Sequence, residues 1–163
     1  MEQNNKVLES TALIRFPDCD PFNHLNNSRY IDYFINARED QIWKNYDLNI
    51  YAYGKQHGKS WVVGSNQIAY LKPAMLMEQV VIQSTLLKLT DTDLHVEMTM
   101  WNKDKTQLKA ILWSVFVHFN LMTQKRDNHS NELMEYFEPL VNPLDPVVDF
   151  EQRVQQVRSY NAK

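Results

Sequence analysis

SRYIDYFINAREDQIWKNY, residues 28–46, is the stretch on which the fold turns. Ile31, Phe34, Ala37 and Arg38, then Gln41 and Ile42, recur at three-to-four spacing, while Asp32, Asn36, Glu39 and Asp40 fall elsewhere on the helical wheel. The spacing predicts one long helix from Ser28 to Tyr46. Asn26, Asn27 and Ser28 are all favoured capping types, so the helix starts among them. Upstream, Val7 to Phe16 carries Thr11, Leu13 and Ile14 and stops at Pro17, which predicts a first strand. Downstream, a loop is expected through Gly54 and Gly58 before the period changes to two. That period is clearest where Leu94, Val96, Met98 and Met100 alternate with His95, Glu97, Thr99 and Trp101.

Trp61–Leu71, Gln79–Leu89 and Leu108–Met122 read as three further strands. Lys72-Pro73-Ala74, the Thr-Asp-Thr-Asp run from Thr90 and the Asn-Lys-Asp-Lys run from Asn102 suit antiparallel turns between them. The order β, α, β, β, β, β places a single long helix before a meander, and only that helix is large enough to cover the apolar face of the sheet. The fold class is therefore α+β, an antiparallel sheet wrapped around one long central helix. Beyond Gln124, Leu133, Met134 and Phe137, then Phe150, Val154 and Val157, predict two short C-terminal helices that cover an edge or a neighbouring subunit.

With 163 residues and 44% apolar content, the chain suits one domain spanning 1–163, with a core at about 7–122 and an extension at 123–163. Net charge is −3 and no Lys/Arg cluster tracks a phosphate backbone, so no nucleic-acid partner is expected. Cys19 is the single cysteine, which removes an intrachain disulfide, and the polar start lacks the apolar stretch of a signal peptide. Apolar runs are far short of the roughly 20 residues that span a bilayer. A cytoplasmic protein with no membrane span is the expectation. The five histidines show no paired helical spacing and no CxxC accompanies them, although His95 and Glu97 form an HxE. GxGxxG, GxxxxGK and GxSxG are absent, and no metal or cofactor is expected.

Chemistry is concentrated just ahead of the helix, in Asp18-Cys19-Asp20-Pro21-Phe22-Asn23-His24-Leu25-Asn26-Asn27-Ser28-Arg29-Tyr30. Pro21 keeps Asp20 on extended or turned backbone, where its carboxylate can stand over the helix start. A helix N-terminus presents unpaired amides and partial positive charge, which suits an oxygen that becomes negative during reaction. The bland alternative is that Asp20 or Asn27 simply caps the helix. Asp18 reads as a turn residue satisfying local amides. Cys19, between two carboxylates, has its thiolate disfavoured and reads as packing.

This segment resembles the active-site motif of the hotdog-fold thioesterases, the family of 4-hydroxybenzoyl-CoA thioesterase and its acyl-CoA and acyl-ACP relatives. Asp18, Asp20, Pro21, His24, Asn26, Asn27 and Tyr30 carry the resemblance, and Ala37-Arg38-Glu39 also fits the family's helix. The resemblance spans about residues 7–122 and implies a hotdog fold and hydrolysis of an acyl-CoA, or of an acyl-ACP, without cofactor. It implies Asp20 as nucleophile or general base, His24 and Asn27 as its catalytic companions, and Asn26, Ser28 and Tyr30 at the substrate. Tyr30, beside Ile31 and Phe34, also reads as core. Two positions depart from the family. Asn23 stands where many relatives have Gly, and Phe22 stands where the acyl-ACP enzymes carry a catalytic Asn. A homodimer or homotetramer is implied, with Trp101, Trp113 and Phe119 as outward aromatics available to a partner, a ligand or the core. The rival readings are a hotdog hydratase or dehydratase, and a hotdog that binds acyl groups without turnover.

Overall fold

In the computed structural model, which describes residues 5–162, the strands are β1 (Val7–Leu13), β2 (Lys59–Tyr70), β3 (Gln79–Leu89), β4 (Asp93–Asn102), β5 (Leu108–Asn120) and the short β6 (Lys125–Arg126). The helices are α1 (Tyr30–Tyr46), α2 (Ile50–His57), α3 (Asn131–Phe137) and α4 (Phe150–Arg158). The sheet is antiparallel in the order β1-β3-β4-β5-β2, with β6 on the end of β5. Registers such as Ser84↔Met98 and Met98↔Leu112 put the apolar side chains of the central strands on one face. Against that face lies α1, burying Tyr30, Phe34, Ala37 and Gln41 at helical spacing over Ile82, Met98, Met100 and Leu112. This is the curled sheet around a central helix that the sequence predicts.

Two expectations need correction. The first strand ends at Leu13 instead of Phe16, because Pro17 sits in a 3-10 turn at Phe16–Asp18 that pulls the chain out of the sheet. The stretch expected as a loop through Gly54 and Gly58 contains α2. The Asn49 side chain accepts from the Tyr51 and Ala52 amides at its start, and Gly58 ends it at φ +65°. Gly54 lies inside this helix, so one of the two glycines read as loop residues is an interior residue and the other a cap.

The C-terminal helices lie on opposite faces of the sheet. On the α1 side, Leu133 and Phe137 of α3, with Leu140 just after it, join the main core. The chain then passes Leu86, where Val141 adds a parallel bridge just beyond the last β1 pair, and crosses to the outer face. There Val154 and Val157 of α4 pack on Leu108 and Ile111 as a second core. Trp101 stacks on Tyr160 at 6.1 Å and Trp113 meets Phe150 edge-on at 5.4 Å. Two of the outward aromatics thus touch the chain's own C-terminal segment. Buried Glu97 receives Arg153 at 2.8 and 2.9 Å and the Trp113 indole N–H at 2.8 Å, so the HxE residue is an ion-pair partner.

Candidate active site

Between β1 and α1 the chain makes a tight turn that is pinned from three directions. Cys19 and Leu25 bridge across its neck, and the Asp20 amide donates to the His24 carbonyl at 2.8 Å. The Asn23 amide returns to the Asp20 carbonyl at 3.1 Å, and Asn23 itself has φ +62°. Asn is among the few side chains that tolerate this left-handed backbone, so the turn closes without the family's glycine. The segment after Pro73 holds the turn from behind. Leu25 donates to the Ala74 carbonyl at 2.8 Å, Leu76 donates to the Asn23 carbonyl at 2.8 Å, and His24 bridges Met75.

The Asp20 carboxylate is half-buried at the tip of this turn. Its Oδ1 accepts from the Phe22 amide at 2.9 Å and the His24 amide at 3.0 Å. Among the described residues its Oδ2 has no protein partner. One oxygen is therefore fixed by backbone and the other is free of protein hydrogen bonds among the described residues. The capping alternative does not hold for Asp20, since the cap is Asn26. Its Oδ1 accepts from the Ser28 amide at 3.0 Å and the Ser28 hydroxyl at 2.8 Å, heading a 3-10 turn at Asn27–Arg29 that runs into α1. This fixes which amide is open. Ser28 N–H is spent on Asn26 and Arg29 N–H on the Asn26 carbonyl at 2.8 Å, which leaves the exposed Asn27 N–H without a partner among the described residues.

The other predicted residues divide by burial. His24 is half-buried, with its ring 6.4 Å from the Phe22 ring and no protein hydrogen bond to the imidazole among the described residues. Asn26, Asn27 and Ser28 are exposed. Tyr30 is 2% exposed, accepts from the Ala74 amide at 3.1 Å and packs edge-on against Tyr70 at 5.1 Å, so it supports the site from beneath instead of lining it. Tyr70 in turn donates to the Asn27 carbonyl at 2.9 Å. Burial pushes the Tyr30 phenol up, with Tyr70, Glu78 and Asp20 adding to it, so the hydroxyl stays neutral and able to hold its place.

Asp18 faces the Tyr33 hydroxyl at 2.6 Å and the Arg29 guanidinium at 4.0 Å. It ties the turn to α1 through side chains, where the sequence reading expected local amides. Cys19 Sγ lies 3.4 Å from the Arg15 carbonyl, and burial first, then Asp20 and Asp18, push its thiol up, which disfavours a nucleophilic thiolate. The sequence reading missed the support from Ala74 to Met77, because Lys-Pro-Ala reads only as a turn. The positive φ of Met77, +64°, leaves no composition signal. Around the turn stand Phe22, Met75 and Met77, 77%, 40% and 61% exposed, an apolar rim beside the free carboxylate oxygen. No group of three or more metal-ligating side chains occurs among the described residues.

A single long helix wrapped by an antiparallel sheet defines a class, and the comparisons place the chain in it. Residues 14–137 match the model of the thioesterase-like superfamily, and the chain belongs to that family, with the hotdog fold. It is 28% identical over 134 residues, 82% of this chain and 99% of the relative, to the long-chain acyl-CoA thioesterase FadM of Escherichia coli strain K12. Among solved structures it resembles YbaW, a probable thioesterase from Escherichia coli, at 26% identity and a TM-score of 0.71 over 83% of this chain and 99% of that one. It also matches the fold of the hypothetical protein SAV2348 from Staphylococcus aureus in complex with CoA, at 14% identity and a TM-score of 0.77 over 90% of this chain and 91% of that one. No helix among the described residues is long and apolar enough to cross a membrane.

Proposed function

We propose that this protein hydrolyses acyl-CoA thioesters to a free acid and a thiol, with Asp20 as the reacting carboxylate. The observation that carries the reading is the split between the two Asp20 oxygens, Oδ1 held by two amides and Oδ2 open at the start of α1. As a nucleophile, Oδ2 attacks the thioester carbon and the C–S bond breaks to release the thiolate; water then opens the mixed anhydride, its oxygen going to the acid and one of its protons to the thiolate, which frees Asp20. As a general base, Oδ2 takes a proton from a water that attacks the same carbon, the C–S bond breaks, and the departing thiolate takes that proton from Asp20. In either route the carbonyl oxygen gains negative charge, and the open Asn27 N–H is the donor placed to stabilise it. His24, its ring unbonded, orients water or the thioester, while Asn26 and Ser28 keep the helix start in shape.

The acyl-CoA substrate is the one named for the relative FadM. Acyl-ACP is less favoured, because Phe22 cannot supply the hydrogen bonds of the Asn found there in acyl-ACP enzymes. We further propose a homodimer formed through β2. Among the described residues this strand pairs with β5 alone, and its Val62–Gln67 segment is exposed, so one side of its backbone is free to pair. A thiol-release screen across acyl-CoA and acyl-ACP substrates tests the reading. Release that disappears in Asp20→Asn while fold and oligomer persist supports it. Unchanged release in that variant overturns the mechanism. Water loss or gain on a 3-hydroxyacyl or enoyl thioester without thiol release would indicate the hydratase reading, and binding without turnover the non-catalytic one.

A further inference from the structure

Two turns along α1 from the site, the helix and the sheet separate around a cavity of about 150 Å³. Its walls are apolar, including Ile42, Trp61, Leu94, Phe116, Phe137 and Leu140. One side chain does not belong there. Arg38 lines the cavity from the inner face of α1, half-buried, yet among the described residues no carboxylate stands within 4.0 Å of its guanidinium. Its one protein hydrogen bond runs from Nη1 to the Ser84 hydroxyl at 2.9 Å. Ser84 is already committed to Gln41, which also bonds Ser10 and the Ile82 carbonyl, so this network has no negative charge to lend. No buried side-chain nitrogen among the described residues lacks a partner, so the unbonded Arg38 N–H groups are those that face open space. Glu39 at the rim gives its carboxylate to the Tyr51 hydroxyl. Burial draws Arg38 down to about 10, which still leaves it charged at neutral pH.

A half-buried guanidinium with no carboxylate partner, its free N–H groups turned into an apolar-walled opening, is available to an anion. A guanidinium fork matches a carboxylate by geometry as well as by charge. We propose that this cavity binds a compact aliphatic monocarboxylate, its carboxylate paired with Arg38 and its chain among Trp61, Leu94, Phe116 and Phe137. A cavity of this size holds about one benzene ring, so roughly six carbons of chain fill it and a longer chain extends to the opening. The proposal rests on the thioesterase reading only for the source of such an acid, which thioester hydrolysis releases.

Calorimetric titration with octanoate and with octan-1-ol, on the wild type and on Asp20→Asn, tests it. Octanoate is expected to bind both proteins equally and octanol more weakly, so the outcome stands apart from whether Asp20 is catalytic. Arg38→Met should weaken octanoate by about tenfold or more and leave octanol unchanged, because a hydrogen bond to a charged group contributes about 1.5–3 kcal/mol. Equal binding of acid and alcohol, or unchanged octanoate binding in Arg38→Met, overturns the proposal. If Arg38→Met fails to fold, Leu94→Trp fills the cavity with Arg38 in place. Loss of octanoate binding there supports the site, and retention overturns it.

Discussion

The Asp20 turn and the His118–His129 pair are built from similar polar residues and treated in opposite ways. At Asp20 one carboxylate oxygen is fixed and one is open, the His24 ring is unbonded, and apolar side chains stand exposed around them. At the other end of the sheet His118 and His129 are 1% and 6% exposed, with ring centroids 4.9 Å apart. Every ring nitrogen there is used. His118 Nδ1 faces the Asp127 and Asn128 carbonyls at 3.2 Å each, so it carries the proton, and Nε2 is left to accept from the Tyr53 hydroxyl at 3.5 Å. His129 donates from Nδ1 to the Thr90 carbonyl at 3.1 Å and accepts the Trp61 indole N–H on Nε2 at 3.0 Å. The contrast teaches that residue type does not mark a site. A polar group left unsatisfied at an opening is available for chemistry, and one fully paired in the core holds the fold.

The largest test of that contrast is Asp20→Asn, which keeps the Oδ1 anchor and removes the charge. Thiol release is expected to fall by about 100-fold or more with little change in melting temperature. His129→Leu should do the reverse. It strands the half-buried Trp61 indole N–H and lowers unfolding free energy by about 1 kcal/mol, seen in urea melts, with thiol release kept below the melting transition. The same pair gives a pH dependence. Burial holds both imidazoles below the usual histidine range, so on acidification the unfolded chain takes up protons first. Stability is full above the ordinary histidine pKa of about 6.5 and declines as pH falls through it toward the folded-state values. In His129→Leu that slope should shrink but persist, because His118 and His95 shift the same way. Asn26→Ala removes the cap of the turn that presents Asn27, with an expected cost of about 1 kcal/mol and a smaller loss of thiol release than Asp20→Asn. Smallest of all is Asn23→Gly, which relieves a left-handed residue at an exposed turn and should move stability by under about 0.5 kcal/mol.

Where the sequence was readable, one residue pattern admitted one structure. Helical spacing from Ile31 to Ile42 predicts α1, and strict alternation from Leu94 to Met100 predicts β4. The Gln79–Leu89 strand has the bounds read from sequence. The α2 helix was hidden because glycine reports backbone freedom and not its use, so Gly54 inside a helix and Gly58 at its end look alike. Asp20 was legible through its neighbours, Pro21 and the capping residues. The division of labour between its oxygens, and the assignment of the open amide to Asn27 once Asn26 takes Ser28, depend on directions that no spacing encodes. Arg38 was placed on the inner face of α1 by periodicity, but its lack of a counter-charge is a property of the whole core. Trp101 and Trp113 were read as outward aromatics, and the residues that meet them, Tyr160 and Phe150, lie about 40 to 60 positions on in sequence.

The α4 helix has a consequence for growth. With the turn after it, which brings Tyr160 onto Trp101, it covers the apolar outer face at Leu108, Ile111 and Trp113, a surface on which the sheet of a second copy would otherwise be laid back to back. In the dimer proposed through β2, antiparallel pairing of the strand with its own copy is self-complementary, so that edge is used up after one partner. The C-terminal segment thus covers, with the chain's own residues, apolar surface that would otherwise be open to further chains.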